Sequence, residues 1–92
     1  MTREERIAYF EALLDRGERA TAALETALAD YGAARDGLRA LEAYYTGPDW
    51  MADFAADEAG LLPASLKRGV LSEDAVYDLL ARCQALDERL KA

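Results

Sequence analysis

Residues 3–45 read REERIAYFEALLDRGERATAALETALADYGAARDGLRALEAYY, and their reading decides the fold. The apolar positions Ile7, Phe10, Leu14, Leu24, Leu28, Tyr31, Leu38, Leu41 and Tyr45 recur at steps of three, four and their sums. That spacing lays them along one face of an α-helix, with Arg and Glu on the others. Thr2 and Glu5 stand three apart, the spacing at which a hydroxyl and a carboxylate each satisfy a free backbone donor of the first turn. No proline interrupts the stretch before Pro48. Gly17, Gly32 and Gly37 each cost about 1 kcal/mol relative to alanine in a helix interior. They are places for a kink or a close backbone approach, and Gly17 is the first place to expect a break.

The Thr46-Gly47-Pro48 step should end this helix. Glycine tolerates the left-handed conformation that finishes a helix, and proline suits the first position of the next. A short helix is expected over roughly 48–59, with Trp50, Met51, Phe54 and Ala55 on its apolar side, stopped by Gly60. Pro63 then opens a single helical turn, Pro63 to Arg68, closed by Gly69. Ser72 caps the last helix, Glu73 and Asp74 sit in its positive first turn, and Leu71 can pack on Val76 as a hydrophobic staple. From there Val76, Leu79, Cys83, Leu86 and Leu90 follow a heptad seam. The expected fold is all-α: a long N-terminal helix, a short middle helix, a one-turn helix and a medium C-terminal helix, packed as an antiparallel helical hairpin within a dimeric bundle.

Length and composition agree with this. At 92 residues the chain is one domain at most, 1–92, near the lower size at which a chain folds without disulfides or metals. Hydrophobic residues are 52% and charged ones 32%, with only Pro48 and Pro63 to break helices, which suits a folded helical protein. Eighteen acidic against eleven basic residues leave a formal charge of −7. Such a surface repels phosphate, so nucleic-acid binding is set aside. It remains compatible with basic partners, or with an inhibitor that imitates nucleic acid. The opening residues carry both signs and lead into no apolar run, so they are not a signal peptide. The charge-free stretches fall short of the roughly 18 residues a membrane span needs. Cys83 is the only cysteine, which excludes an intrachain disulfide and fits a reducing, cytoplasmic setting.

The stretch Leu41-Glu42-Ala43-Tyr44-Tyr45 through Trp50, together with Asp57 to Leu80 (DEAGLLPASLKRGVLSEDAVYDLL), resembles the bacterial family known as domain of unknown function 4298. The likeness extends over nearly the whole chain and is specific from about Glu42 to Leu80. The resemblance implies a small bacterial protein, usually standing alone, without an assigned activity, and it carries over no functional residue.

Four groups of residues are candidate sites. Asp49, Asp53, Asp57 and Glu58 are the densest acidic group; residues 47–62 hold these four acids and no base, contributing −4 of the −7. Carboxylates at i, i+4 and i+8 share a helix face and suit a hard cation such as Mg²⁺ or Ca²⁺, yet the turning, glycine-bearing loop of a calcium site is absent. A solvated helix face is the plainer reading, and no metal ligand is assigned. Lys67, Arg68, Gly69 and Ser72 form a candidate anion or capping site, because the free N–H groups at the start of a helix attract negative charge. Glu73 and Asp74 already occupy that positive end. Tyr44, Tyr45, Trp50, Met51 and Phe54, within eleven positions, suit either a core corner or an interaction surface. Cys83 lies on an apolar seam with no histidine anywhere to activate it, and reads as a small hydrophobe.

Without histidine the chain lacks the commonest general base, and no pair of carboxylates, tyrosines or lysines stands in a catalytic pattern. No catalytic residue and no cofactor is expected. A helix over about 3–45 runs roughly 65 Å, and one of 20 residues roughly 30 Å. An unbroken first helix would therefore leave part of its apolar stripe bare. Ordered by the residues that favour them, the functions are a non-catalytic interaction module pairing with a second copy or another protein, an acidic inhibitor imitating nucleic acid, and a weak divalent-metal binder.

Overall fold

The computed structural model describes residues 1–91 and holds three α-helices and one 3-10 turn, with no strand among the described residues. Helix α1 spans Arg3–Tyr45, α2 spans Pro48–Glu58, a 3-10 turn covers Gly69–Leu71, and α3 spans Glu73–Lys91. The fold is all-α, as the periodicity predicts. The chain divides into two compact units, Met1–Arg35 and Asp36–Ala92.

The first unit is the larger part of α1. Its start is closed from both sides: the Glu5 N–H donates to Thr2 Oγ1 at 3.2 Å, and the Thr2 N–H reaches Glu5 Oε1 at 3.5 Å. This is the reciprocal capping expected from the sequence, and Glu4 and Glu5 add negative charge where the helix dipole favours it. The helix does not break at Gly17. It also runs unbroken through Gly32 and Gly37. Helix propensity explains the continuity, since each glycine stands among alanine, leucine, arginine and glutamate, and no proline removes a backbone donor. At residue 21 the threonine hydroxyl turns back on the helix, donating to the Gly17 carbonyl at 2.6 Å and the Glu18 carbonyl at 3.1 Å.

The second unit begins with the last turns of α1. Its end is tied down by Thr46, whose hydroxyl and N–H both donate to the Glu42 carbonyl. Gly47 is extended (φ −102°, ψ 175°), so the left-handed finish expected there is not used. Glycine is required for another reason: a Cβ at residue 47 would stand 2.9 Å from the Ala43 carbonyl oxygen. Pro48 then occupies the first turn of α2, as expected. At the other end of α2 the Gly60 N–H donates to the Asp57 carbonyl and the Leu61 N–H to the Ala56 carbonyl, the paired bonds of a Schellman finish. The glycine there has φ +73°, where a side chain crowds the backbone. Gly60→Ala should cost about 1–2 kcal/mol in urea unfolding, with the loss appearing first as fraying of α2.

The one-turn helix expected over Pro63 to Arg68 lies elsewhere. Residues 63–66 make a single turn, closed by the Leu66 N–H on the Pro63 carbonyl, and the helical turn forms three residues beyond that, at Gly69–Leu71. Long-range partners explain the shift, since Arg68 is drawn to Asp57 and the Val70 carbonyl to Trp50. Both α2 and α3 pack on this 3-10 turn. Ser72 follows in extended backbone (φ −69°, ψ 132°), and Glu73 and Asp74 fill the first turn of α3.

Burial is confined to the second unit and is sparse. Among the described residues only Trp50, Leu71 and Val76 are buried. Leu71 and Val76, the two residues expected to staple the start of α3, are both among them. The seam expected along α3 is covered only in part. Val76 is buried and Cys83 half-buried, but the other covered positions are Leu80 and Asp87, while Leu79, Leu86 and Leu90 are exposed. Packing within the chain thus takes one edge of the apolar face of α3 and leaves the other edge in water.

Candidate functional site

Two places in the molecule gather the residues singled out by the sequence: an aromatic knot around Trp50, and the apolar row of α1.

The knot is held by side chains from α1, α2 and the segment before α3. Trp50, the third residue of α2, is only 8 % exposed. Its Nε1–H donates to the Val70 carbonyl at 2.9 Å, satisfying the one polar atom of a buried indole. Tyr45 meets it edge-on, with centroids 5.2 Å apart and planes at 74°, and Phe54 stacks on it at 5.2 Å and 18°. The Tyr45 hydroxyl donates to the Glu73 carbonyl at 3.1 Å, which links the end of α1 to the start of α3. Of the five residues in the aromatic candidate surface, Tyr45, Trp50 and Phe54 therefore form the inside of the knot. Met51 is 65 % exposed and lies outside it.

Tyr44 points the other way, and its hydroxyl donates to Asp53 Oδ2 at 2.7 Å. That bond to a carboxylate pushes its pKa up from 10.0 to about 12, helped by lost hydration and by the charges of Asp53 and Asp49. The bond needs the neutral phenol. Its contribution is complete below the ordinary tyrosine pKa of 10.0 and is lost as pH rises through about 12. In an absorbance titration Tyr44 should ionise late, and Asp53→Asn should bring it back toward 10.0. A single unshifted tyrosine phase in the native chain would refute the bond.

The remaining candidates are placed around the same knot. Asp57 accepts from Arg68 Nη1 at 2.7 Å, a half-exposed pair that joins α2 to the residue before the 3-10 turn. Such a pair contributes about 0–1 kcal/mol. Asp53 is taken by Tyr44, so two of the three α2 aspartates spaced four apart already have partners. Among the described residues no group of three or more His, Cys, Asp or Glu side chains is placed to hold a metal ion. Arg68 and Ser72 do come together, but around Asp57, Glu58 and Glu73, with Gly69 outside the lining: an open groove is lined by Phe54, Asp57, Glu58, Arg68, Leu71, Ser72 and Glu73. Three carboxylates against one guanidinium give that groove a negative balance. Lys67 is exposed and does not line it. The sequence reading did not foresee the Trp50–Val70 bond, because nothing local marks a carbonyl twenty residues away as an indole's acceptor.

The second place is the apolar row of α1. Ile7, Phe10, Leu14, Leu24 and Leu28 are each 42–58 % exposed, and every residue from 1 to 30 is exposed. Tyr9 and Phe10 meet edge-on, with centroids 5.1 Å apart, and Leu13 is 47 % exposed beside them. Soluble chains seldom leave this much contiguous apolar surface in water without a use for it.

Residues 7–91 match the model of a family described as Domain of unknown function (DUF4298). The chain belongs to that family. No curated protein and no solved structure matches the DUF4298 chain. The match takes in both places just described, the exposed row of α1 and the Trp50 knot. Among the described residues of this DUF4298 chain, no helix is long and apolar enough to cross a membrane.

Proposed function

We propose that this DUF4298 protein works by contact rather than by chemistry: it is a non-catalytic helical interaction module that pairs with a second copy of itself through the first half of α1. The observation that carries the reading is the uncovered apolar row from Ile7 to Leu28. Helix lengths support the reading. At about 1.5 Å per residue, the 19 residues of α3 span about 28 Å, while Ile7 to Tyr45 is about 57 Å of α1.

Surface area supports the same reading. The chain exposes 7585 Å², whereas a compact monomer of 10.1 kDa exposes roughly 5300 Å². The surplus of about 2300 Å² exceeds the roughly 800 Å² that each partner gives to a standard interface. The three residues buried among those described are also too few to hold the chain against the entropy of ordering it. Imitation of nucleic acid finds less support, because Arg6, Arg16 and Arg19 interrupt the negative charge along the same helix.

Mass action gives the test. A dimer that is the folded unit has a melting temperature that rises with concentration, whereas a monomer's does not. Far-UV melts over a hundredfold range of chain concentration should shift upward by several degrees. A melting temperature independent of concentration would remove the basis for self-association.

A further inference from the structure

We infer that the acidic edge of α1 is read by the basic edge of α3 from the second copy, an inference that rests on the self-association proposed above. Glu4, Glu11, Glu18 and Glu25 recur every seven residues. At that period they form one row along α1, beside the exposed apolar positions Ile7, Leu14 and Leu28. On α3 the exposed apolar edge is Leu79, Leu86 and Leu90, and Arg82 and Arg89, also seven apart, flank it. Seven residues of helix rise about 10.5 Å, so the two charged rows have the same repeat. Each row runs beside an uncovered apolar strip, and the two rows carry opposite signs.

Among the described residues neither the four glutamates nor Arg82 and Arg89 have an ionic partner. The pairing of α1 with α3 of another copy is self-complementary: applied twice about a two-fold axis, it covers both α3 edges and a matching length of both α1 rows. The alternative, two α1 glutamate rows facing each other, places like charges together and is disfavoured. Leu79, Leu86 and Leu90 would then do between copies what the heptad spacing of α3 suggests and what its own chain does not use.

The test uses the full chain in two charge-reversed forms. One carries Glu11→Arg and Glu18→Arg, the other Arg82→Glu and Arg89→Glu. At low salt, each alone should dimerise at least about tenfold more weakly than the native chain, since reversal turns attraction into repulsion at several contacts. Mixed in equal amounts, the two should form a heterodimer within about threefold of native affinity, because every reversed row then meets a reversed partner. Two weakened forms that stay monomeric on mixing would overturn the inference. So would two forms that dimerise as the native chain does, with self-association itself left standing. A native chain that is monomeric throughout the concentration range would remove both the inference and the reading beneath it.

Discussion

Trp50→Ala should abolish cooperative unfolding of residues 36–91. Truncating a buried indole costs about 3–5 kcal/mol, and here it removes one of the three side chains buried among the described residues. The edge contact with Tyr45, the stack on Phe54 and the bond to the Val70 carbonyl are lost together. With them go the contacts that hold α2 against the 3-10 turn. Trp50→Phe separates the terms, keeping an aromatic ring and losing the Nε1–H. It should cost about 1–2 kcal/mol, mostly from the unpaired carbonyl. Urea unfolding followed by near-UV circular dichroism distinguishes the two variants. Equal, small losses would show that the knot is not what holds this unit together.

The second large effect is expected on α1. Leu14→Asp combined with Leu24→Asp places carboxylates in the middle of the exposed row, and each leucine buried in an interface contributes about 1.5–3 kcal/mol. Counted over two copies, the dissociation constant should rise at least about a hundredfold. Helix content should fall with it over residues 3–30, since a helix without tertiary packing is marginal in water. Ala12→Asp with Thr26→Asp is the control. Those positions lie on the opposite side of α1, so the pair carries the same charge and similar helix propensity without touching the apolar row. If both pairs of substitutions weaken association equally, net charge rather than the apolar face governs assembly.

Much of the architecture was legible in short-range chemistry. Thr2 with Glu5 and Gly60 mark helix ends through bonds made within a few residues, and Pro48 through its fixed backbone angle, each where the spacing predicts. What escaped notice depends on distant partners. The helical turn forms at Gly69–Leu71 rather than after Pro63 because Asp57 and Trp50 fix Arg68 and Val70, from eleven and twenty residues away. On α3 the heptad pattern gives the apolar face but not which edge of it the chain covers. That edge is set by where Leu71 and Tyr45 hold the start of the helix. The continuity of α1 was a matter of magnitude: glycine costs of about 1 kcal/mol each favour a break only where another packing is available. The aromatic residues were found by their density alone. Their division into a buried knot and the outward pair Tyr44–Asp53 needed coordinates.

Sedimentation equilibrium of the native chain tests the central claim most directly, because it reads mass without regard to shape. At micromolar concentration the account requires a species of twice the 10.1 kDa chain mass, in reversible equilibrium with the single chain. A lone 10.1 kDa species at every concentration examined would contradict it.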